Sequence, residues 1–450
     1  MRVKKLKRAI LPTVRKYIAL PLVEIAYYRQ LVPRMKNYPR LKPEAKTLNS
    51  ILQINTISKQ GGAARIAYLL NQALASRGFN SQMLVGAASS DEDMEVLPNN
   101  ASLMQKLLYI GQIEKGWLDF FHLSSLKIKD LDAFKNADLV HLHNLHGGYF
   151  SIFALPEITA LKPTVWTLHD MQPITGHCAH SFDCDRWLTG CGSCPDIGIY
   201  PGIKKDTTEF LWQTKKSIYN YSDLTIVCPS QWLKEKVERS ILKDKDIRLI
   251  YNGVDQSIFT KSDKAEARII LGLPLDKKII LFSAYAGVDH PWKGGQFLTH
   301  IYRNLNSRGD ILFLNVGGSE AGFKGNNWLN VPYITDEKTM ANYYSASDLL
   351  IYPSLADNCP LVVLEALSCG VPVIAFQTGG IPELINHMET GYLAKYKDIE
   401  DLVKGVRMFI DNPDLISKVS INAFESSKMY SLERMADEYI KLYTEFFISK

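Results

Sequence analysis

The sequence predicts an α/β protein with two doubly wound domains, in each of which helices cover both faces of a parallel sheet. Three observations lead to this prediction. The chain has 450 residues, more than the roughly 250–300 at which a single hydrophobic core stops growing. From Leu48 onwards, short apolar runs typical of buried strands alternate with amphipathic segments of helical period. After Asn252 this alternation gives way to a polar stretch and then starts again.

The first series of elements lies between residues 48 and 252. Its clearest helix is GGAARIAYLLNQALASRG, in which a glycine turn precedes an amphipathic run that stops at Gly78. Residues 89–137 are less regular and are expected to form helices and loops. The predicted strands are 50–57, 81–88, 137–145, 163–170, 223–230 and 247–255.

The second series covers residues 253–430 and repeats the same alternation. A last helix follows within residues 431–450, and its Tyr and Phe stripe is expected to pack back toward the first domain. The predicted strands of this series are 277–284, 311–318, 349–354 and 371–376. Its predicted helices are 294–305, 336–348, 360–369 and 398–410.

The composition is that of a soluble globular protein, with 46% hydrophobic and 22% charged residues. The formal net charge is +5, but residues 1–47 hold thirteen Lys and Arg against two Glu, so this arm carries +11 and the remainder −6. The best apolar run of the arm, Tyr17–Tyr28, is too short to cross a bilayer and contains Pro21 and Glu24. Basic residues interleaved with apolar and aromatic ones instead predict a helix at a membrane surface. A solvated tail that docks on its own domain is the alternative.

No secretory signal follows the basic start of the chain, which predicts a cytoplasmic protein. The arm predicts a peripheral position on the inner face of the cell membrane. An anionic partner of this kind could also be a nucleic acid, but a membrane surface is the expectation and no nucleic-acid partner is expected.

Two carboxylates flank the start of the predicted helix 360–369. Pro360 suits the first turn of this helix and Gly370 suits its end, so Asp357 lies in the preceding loop and Glu365 more than one turn inside. Both residues follow a strand, and open α/β sheets bind ligands at the carboxyl ends of their strands.

These residue types suit a nucleotide sugar. A carboxylate can accept hydrogen bonds from both hydroxyls of a ribose diol. The Gly379–Gly380 turn allows a backbone to approach a pyrophosphate without a Cβ in the way. Lys293, which follows another predicted strand, supplies a positive charge for the same phosphates.

As an ordered set, the motifs of this chain resemble those of the retaining glycosyltransferases of family 4, which have the GT-B fold. The resemblance covers most of residues 50–425 and implies two Rossmann-like domains that face each other across a cleft. The segments that carry it are GGAARIAYLLNQAL, HLHNLHGG, TLHDMQPITGHC, VCPSQWL, YNGVD, WKGG and PSLADNCPLVVLEALSCGVPVIAFQTGGIPEL.

The resemblance also implies roles for single residues. Asp357 and Glu365 match the two spaced glutamates of the family, the first shortened to Asp, and Lys293 matches the phosphate-binding lysine. The Arg that often precedes this lysine is missing. His143 matches the histidine that reaches the donor sugar, so His143, Asp357 and Lys293 are the expected catalytic residues. The expected donor-binding residues are Gly61, Gly62, Lys293, Asn358, Cys359, Glu365, Gly379 and Gly380.

The implied reaction moves a sugar from a UDP- or GDP-sugar to a glycan or lipid-linked acceptor, in exopolysaccharide, capsule or lipopolysaccharide synthesis. No catalytic metal is expected. By this resemblance residues 48–252 form the acceptor domain and 253–430 the nucleotide-sugar domain. His169 and Asp170 end a strand and are candidates for acceptor binding, with capping of the following turn by Asp170 as the alternative.

Four of the seven cysteines fall in one loop, residues 176–195. The final Cys-x2-Cys is a good metal knuckle, and four thiolates suit tetrahedral zinc. Two disulfides, an iron–sulfur cluster or free buried thiols are the alternatives, and His177 and His180 could replace a thiolate. The four predicted zinc ligands are Cys178, Cys184, Cys191 and Cys194.

Other functions on such a scaffold remain open at this point. A nucleotide-sugar epimerase would need no acceptor, and a zinc-stapled sugar-binding protein would need no catalysis. A phosphorylase is expected to bind pyridoxal phosphate, for which the sequence has no clear site. A dinucleotide oxidoreductase is disfavoured because the first glycine loop, KQGGAAR, is not G-x-G-x-x-G.

Overall fold

The computed structural model describes residues 47–87, 94–97, 103–285, 287–290, 292–318 and 322–448. The predicted membrane-surface arm therefore lies outside the described residues, except for Thr47. The chain divides into two compact units. The first comprises the residues up to Pro229, Leu233–Ile250 and the segment from Glu438, and the second comprises Ser230–Trp232 and Tyr251–Asp437.

The first unit contains a parallel sheet of seven strands in the order β3-β2-β1-β4-β5-β6-β7. The central strands are short apolar runs buried on both faces, as parallel sheets require. The strands are β1 Ser50–Ile57, β2 Asn80–Ala87, β3 Glu95–Val96, β4 Leu139–Leu142, β5 Thr164–Thr167, β6 Thr225–Cys228 and β7 Asp246–Leu249.

The helices that accompany this sheet follow its strands along the chain. The longest turns the hydrophobic side chains of an amphipathic sequence inward, so that Ile66, Leu70 and Leu74 are buried. The helices are α1 Gly62–Ser76, α2 Leu103–Lys115, α3 Asp132–Asn136, α4 Leu155–Leu161, α5 Thr208–Asn220 and α6 Gln231–Val237. Short 3-10 segments occupy Leu123–Asp130, Ile152–Ala154, Gln172–Ile174 and Arg186–Leu188.

The second unit contains a parallel sheet of six strands in the order β10-β9-β8-β11-β12-β13. The strands are β8 Lys278–Ser283, β9 Ile311–Val316, β10 Trp328–Val331, β11 Leu349–Tyr352, β12 Val373–Phe376 and β13 Gly391–Ala394. The helices are α7 Lys264–Leu271, α8 Gly295–Leu305, α9 Glu337–Ala346, α10 Leu361–Ser368, α11 Ile381–Leu384, α12 Ile399–Ile410 and α13 Pro413–Ser427. The last helix, α14 Leu432–Thr444, begins in this unit, and its residues from Glu438 onwards belong to the first unit. A 3-10 turn at Gly287–Asp289 and another at Lys428–Tyr430 complete the second unit.

Both sheets reverse their strand order once, between β1 and β4 in the first unit and between β8 and β11 in the second. At such a switch point the connections leave in opposite directions, which opens a crevice beyond the carboxyl ends of the two strands. The glycine pair Gly61–Gly62 and His143 follow β1 and β4, and Lys293 and Asp357 follow β8 and β11. The predicted site residues therefore cluster at the two switch points.

The predicted strands and helices are confirmed, with ends shifted by a few residues. Three strands are additional: β3, β10 and β13 are two to four residues long and have no clear period-two pattern. The helices α5, α6, α7, α11 and α13 were also not predicted, and α7 forms in the polar stretch expected to separate the two series. The N-cap of α13 is Asn412, whose side chain accepts a hydrogen bond from the N–H of Leu415. Within the described ranges, no helix combines the length and apolarity needed to cross a bilayer.

A buried ion pair joins helix α7 to the start of β11 in the second unit. The carboxylate of Asp348 accepts hydrogen bonds from the Arg268 guanidinium at 2.8 Å and from the N–H of Ile279 at 2.7 Å. The side chains of Asp348 and Arg268 are each only 6% exposed. Lys264 adds a third donor at 2.7 Å. Since both charges are desolvated, removal of one leaves the other buried without compensation.

We expect Asp348→Ala to destabilise the second unit by about 3–5 kcal/mol, because the Arg268 guanidinium loses its buried partner. The measurement is the shift of the urea-unfolding transition. Glu425→Ala is the control, since it removes an ion pair with Lys428 in which both side chains are 56% exposed, and it should cost less than about 1 kcal/mol. Equal shifts for the two variants would contradict the prediction.

Candidate functional site

Two loops meet backbone to backbone at the switch point of the second unit. Gly294 has φ +77°, and a Cβ at this position would overlap the carbonyl oxygen of Pro353. The N–H of Leu355 donates to the carbonyl of Trp292 at 2.8 Å. These contacts hold the loop after β8 against the loop after β11, and they place Lys293 beside Asp357.

Lys293, Tyr352 and Asp357 form a closed hydrogen-bonded triangle. The ammonium of Lys293 donates to the Tyr352 hydroxyl at 2.9 Å and also to the Asp357 carboxylate. The Tyr352 hydroxyl donates to the same carboxylate oxygen. Burial opposes the charged form of Lys293, but the charge of Asp357 outweighs it and raises the pKa of the ammonium. Lys293 is therefore a permanent cation with a fixed direction.

The loop that carries Asp357 leads directly into helix α10. The second oxygen of Asp357 accepts the N–H of Asn358 at 3.0 Å. Asn358 is buried and accepts a hydrogen bond from Ser230, while the carbonyl of Cys359 accepts one from Asn252 at 3.0 Å. Burial raises the pKa of the Cys359 thiol to about 12. Asn358 and Cys359 are thus held inside the unit by their own contacts.

Glu365 lies in the second turn of α10 and is only 3% exposed. One of its carboxylate oxygens accepts a hydrogen bond from the Tyr344 hydroxyl at 2.8 Å. Tyr344 belongs to helix α9, so this bond fixes the side chain from a neighbouring helix. A carboxylate that is held in one orientation can accept hydrogen bonds from the hydroxyls of a diol.

The glycine turn after β12 packs on the Asp357 loop. A Cβ at Gly379, where φ is +58°, would overlap the carbonyl oxygen of Asp357, and one at Gly380 would overlap that of Asn358. The N–H of Gly380 donates to the Asp357 carbonyl at 3.2 Å. In this structure the space that the two glycines leave is therefore filled by the backbone of the Asp357 loop.

The glycine loop of the first unit is open. Gly61 has φ +91° and is the N-cap of α1, and among the described residues no atom lies within 4 Å of a Cβ at Gly61 or Gly62. A ligand group could therefore approach this backbone closely, next to the positive end of the α1 dipole.

His143 is buried among neutral partners. Its Nδ1 lies 3.0 Å from His169 Nε2, and its Nε2 lies 2.9 Å from the side-chain amide of Gln53. The Gln53 amide matches its surroundings when its nitrogen donates to His143 and to the carbonyl of Ala67. Nδ1 of His143 then carries the proton that is donated to His169. Burial and the neighbouring histidines lower the pKa of His143 well below its usual value, so the ring is neutral.

His141 shares the strand face with His143, as predicted, with 4.1 Å between the ring centroids. Its Nε2 lies 2.8 Å from the Thr167 hydroxyl, and its Nδ1 lies 2.7 Å from the Tyr443 hydroxyl. Tyr439, one turn earlier in α14, bonds to the same Thr167 hydroxyl at 2.7 Å. Both ring nitrogens of His141 are thus used within the first unit, which makes it a structural residue.

Asp170 forms an ion pair with His146 that was not predicted from the sequence. Its Oδ2 lies 2.8 Å from Nε2 of His146, and its Oδ1 accepts the N–H of Gln172 at 2.8 Å, so Asp170 also caps the following turn. Burial opposes the charged form of His146, but the charge of Asp170 outweighs it, and the pKa of His146 is raised. His146 Nδ1 is buried and has no hydrogen-bond partner among the described residues.

Two further buried ionisable groups adjoin this pair. Burial raises the pKa of Asp119 to about 6, against the effects of His146 and Lys215. Burial also lowers the pKa of Lys215 to about 8, and its ammonium donates to the carbonyls of Gln172 and Thr175 at 2.6 and 3.1 Å. Four ionisable side chains from four separate segments therefore meet beyond β4 and β5. Ionisable groups with shifted pKa values that lie close together mark a candidate functional site.

The four loop cysteines line one small cavity of the first unit. None of the seven cysteines is in a disulfide. Within the described part of the chain, no three His, Cys, Asp or Glu side chains are already arranged to hold a metal ion. The predicted ligands are therefore brought together, but not at metal-binding distance.

Two family models cover most of the chain. Residues 60–257 match the model described as Glycosyltransferase Family 4, and residues 263–426 match the model described as Glycosyl transferases group 1. The boundary between the two matches falls near the boundary between the two units at Ile250 and Tyr251.

Whole-length relatives agree with these matches. The chain is 26% identical to the putative colanic acid biosynthesis glycosyl transferase WcaC of Escherichia coli K12, over 88% of this chain and 99% of the relative. It is 32% identical to an uncharacterized glycosyltransferase of Haemophilus influenzae, over 86% of this chain and 97% of the relative.

Solved structures show the same architecture at low sequence identity. A sucrose-phosphate synthase from Thermosynechococcus elongatus superposes with a TM-score of 0.66 at 20% identity, over 89% of this chain and 99% of that chain. Anabaena Alr3699/HepE in complex with UDP-glucose superposes with a TM-score of 0.60 at 16% identity, over 88% and 99%. With the two parallel sheets, these likenesses show the GT-B fold with two Rossmann-like domains.

We expect the stabilisation that His146 provides to depend on pH. Its pKa is raised in the folded state, so this stabilisation is fully present below about 6.5, the usual value, and is lost as the pH rises through the folded-state value. His146→Gln should therefore lower the thermal unfolding temperature more at about pH 6 than at about pH 9. The measurement is unfolding of both proteins across this range.

The matched control is His300→Gln, at an exposed position of helix α8 in the second unit. Its unfolding temperature should follow that of the unmodified protein at every pH. A deficit of His146→Gln that grows as the pH rises would contradict the prediction.

Proposed function

Because the chain belongs to the glycosyltransferases of group 1 and family 4, we propose that it transfers a sugar from a nucleotide-sugar donor to a glycan or lipid-linked acceptor, with retention of anomeric configuration. The observation that carries the proposal is the fixed cation Lys293 at the switch point of the second unit. The name of the Escherichia coli relative favours surface polysaccharide synthesis as the process.

The donor is proposed to be a UDP- or GDP-sugar bound by the second unit. The Anabaena structure is a complex with UDP-glucose, which favours a uridine nucleotide. Glu365, which Tyr344 holds in place, would accept hydrogen bonds from the ribose hydroxyls. The diphosphate would lie next to Lys293.

The triangle around Lys293 suggests how the diphosphate is bound without the preceding Arg. An ammonium has three N–H donors, and two of them point at Tyr352 and Asp357. The third can donate to a phosphate oxygen. Both oxygens of Asp357 already accept hydrogen bonds, so we propose that this shortened residue positions Lys293 and leaves the sugar hydroxyls to other groups.

The proposed reaction needs no covalent enzyme intermediate. The bond between the anomeric carbon and the phosphate oxygen breaks as the acceptor oxygen forms its bond on the same face. The acceptor proton passes to an oxygen of the leaving diphosphate. Lys293 stabilises the charge that develops on this diphosphate, which is the contribution a preorganised cation makes to such a step.

The acceptor is proposed to bind beside the buried groups of the first unit. His169 and Asp170 were expected there, and His146 joins them through its bond to Asp170. Because His146 Nδ1 lacks a hydrogen-bond partner among the residues described, it is the group of this cluster best suited to donate to an acceptor oxygen. His143 is neutral, with both nitrogens bonded inside the unit, which suits a contact through its ring.

The proposal is tested by a donor screen with the full-length protein. UDP-, GDP- and ADP-sugars are compared by thermal shift, since a ligand that binds the folded state raises its apparent stability. One UDP- or GDP-sugar should stabilise the protein, and Lys293→Met should weaken its binding about 10- to 100-fold through loss of a charged hydrogen bond. Lys404→Met, an exposed lysine of α12 in the same unit, is the control and should bind normally.

The proposed retention of configuration is tested by determining the anomeric configuration of the product. A simple acceptor sugar is supplied with the donor found in the screen, and the anomeric configuration is assigned by NMR. A product with the donor's configuration supports the proposal. An inverted product, a donor converted without acceptor, or failure of every nucleotide sugar to bind would overturn it in favour of an inverting transferase, an epimerase or a different function.

The basic arm leads to a separate proposal, that residues 1–47 hold the protein at an anionic membrane surface. The arm carries +11, and each Lys or Arg close to an anionic surface contributes about 1 kcal/mol. Deletion of residues 1–47 should abolish sedimentation with vesicles that contain anionic lipid. Vesicles of neutral lipid are the control, and equal sedimentation of the full and shortened chains would refute the role of the arm.

A further inference from the structure

The loop between β5 and α5 has little regular structure that could hold it together. Apart from the 3-10 segments Gln172–Ile174 and Arg186–Leu188, it consists of turns and bends. It nevertheless encloses a small cavity within the first unit. The thiols that line this cavity are those of Cys178, Cys184, Cys191 and Cys194, all partly buried.

The four cysteines lie at different points along the loop, yet all of them line the same cavity. A metal ion binds the thiolate form of cysteine, and the charge of the ion compensates for the thiolates that it gathers. Four cysteines around one cavity therefore form a suitable ligand set for a structural metal ion.

The turn Cys191–Gly192–Ser193–Cys194 holds an unusual backbone. φ is +57° at Cys191, +82° at Gly192 and +44° at Ser193. A left-handed conformation costs L-residues about 1–2 kcal/mol each. The guanidinium of Arg186 donates to the carbonyls of Gly192, at 3.0 Å, and Ser193. The turn directs both of its cysteines to one cavity.

The hydrogen bonds made to the cysteine sulfur atoms of this cavity favour the thiolate form. The N–H of Gly176 donates to Cys191 Sγ at 3.2 Å, and an N–H donor favours the thiolate over the thiol. His177 bonds through Nδ1 to the carbonyl of Pro201 at 3.0 Å, so its Nε2 faces Cys194 Sγ at 3.5 Å. A ring held in this way by a backbone carbonyl is the usual neighbour of a metal ligand or a ligand itself.

We propose that Cys178, Cys184, Cys191 and Cys194 bind one structural zinc ion in the cavity that they line. Four thiolates satisfy the tetrahedral coordination that zinc prefers in structural sites. To bind the ion, the thiols must lose their protons and turn toward the centre of the cavity. This inference is independent of the proposed function.

The zinc ion would also stabilise the backbone next to the ion pair of His146 and Asp170 in the first unit. The N–H of Met171 donates to the carbonyl of Ala179 at 2.8 Å, and the N–H of Ala179 donates to the carbonyl of Tyr200 at 2.7 Å. These bonds join the cysteine loop to the residues that directly follow Asp170. Zinc in the cavity therefore stabilises the backbone on which Asp170 and its partner His146 depend.

The proposal is tested by metal analysis of the full-length protein purified without chelator. One zinc ion per chain is expected. Cys191→Ala should reduce this to less than about a tenth, because loss of one of four ligands removes most of the affinity. Cys228→Ala is the matched control, since Cys228 is a buried cysteine in strand β6 outside the cavity, and it should retain the full zinc content.

A second measurement does not depend on the folding of a variant. The unmodified protein, exchanged with Co²⁺, should show the thiolate-to-cobalt absorption in the near ultraviolet and the visible bands of a tetrahedral site. Absence of zinc from the protein, iron with labile sulfide in its place, or a cobalt spectrum without thiolate bands would overturn the proposal. Loss of zinc in His177→Asn together with full zinc in Cys184→Ala would overturn the assignment of four thiolates.

Discussion

The geometry of the second unit depends on close backbone contacts that only glycine permits. A side chain at Gly294, Gly379 or Gly380 would overlap the carbonyl oxygens of Pro353, Asp357 or Asn358. These three acceptors belong to one loop, so the glycines hold it from two sides. The contact between Lys293 and Asp357 follows from this packing more than from attraction, because partly exposed ion pairs stabilise proteins little. A rigid loop thus orients a cation that would otherwise sample many rotamers.

The two switch points differ in the charge of their side chains. In the second unit, a lysine and an aspartate remain charged and lie near the surface, with side chains 28% and 17% exposed. In the first unit, His141, His143 and His169 are neutral because burial lowers their pKa values. His146 and Asp170 form an ion pair there, and the buried Asp119 and Lys215 adjoin it. Taken by itself, the switch point of the second unit suits an anion, and that of the first unit suits neutral hydroxyl groups.

Local patterns in the sequence predicted the sheets, the helices and the residues at the ends of strands. Lys293 and Asp357 could be found because each follows a strand with a clear apolar pattern, and Glu365 because it lies inside a helix bounded by Pro360 and Gly370. The cluster of Asp119, His146, Asp170 and Lys215 could not, since its members come from segments far apart in the chain and Asp119 lies in an irregular stretch. His146 had one local signal, as the third histidine of HLHNLH. The convergence of the four cysteines was suggested by the Cys-x2-Cys spacing, but their shared cavity needed the structure.

The tyrosines of the last helix have a consequence for biosynthesis. Tyr439 and Tyr443 are almost fully buried, and their hydroxyls complete hydrogen bonds to Thr167 and His141 of the first unit. This interior therefore contains side chains that are translated after the whole of the second sheet. Until they leave the ribosome, Thr167 and His141 lack these partners, and buried polar groups without partners destabilise a core. The half of the protein that is made first therefore cannot complete its interior until the end of the last helix has been translated.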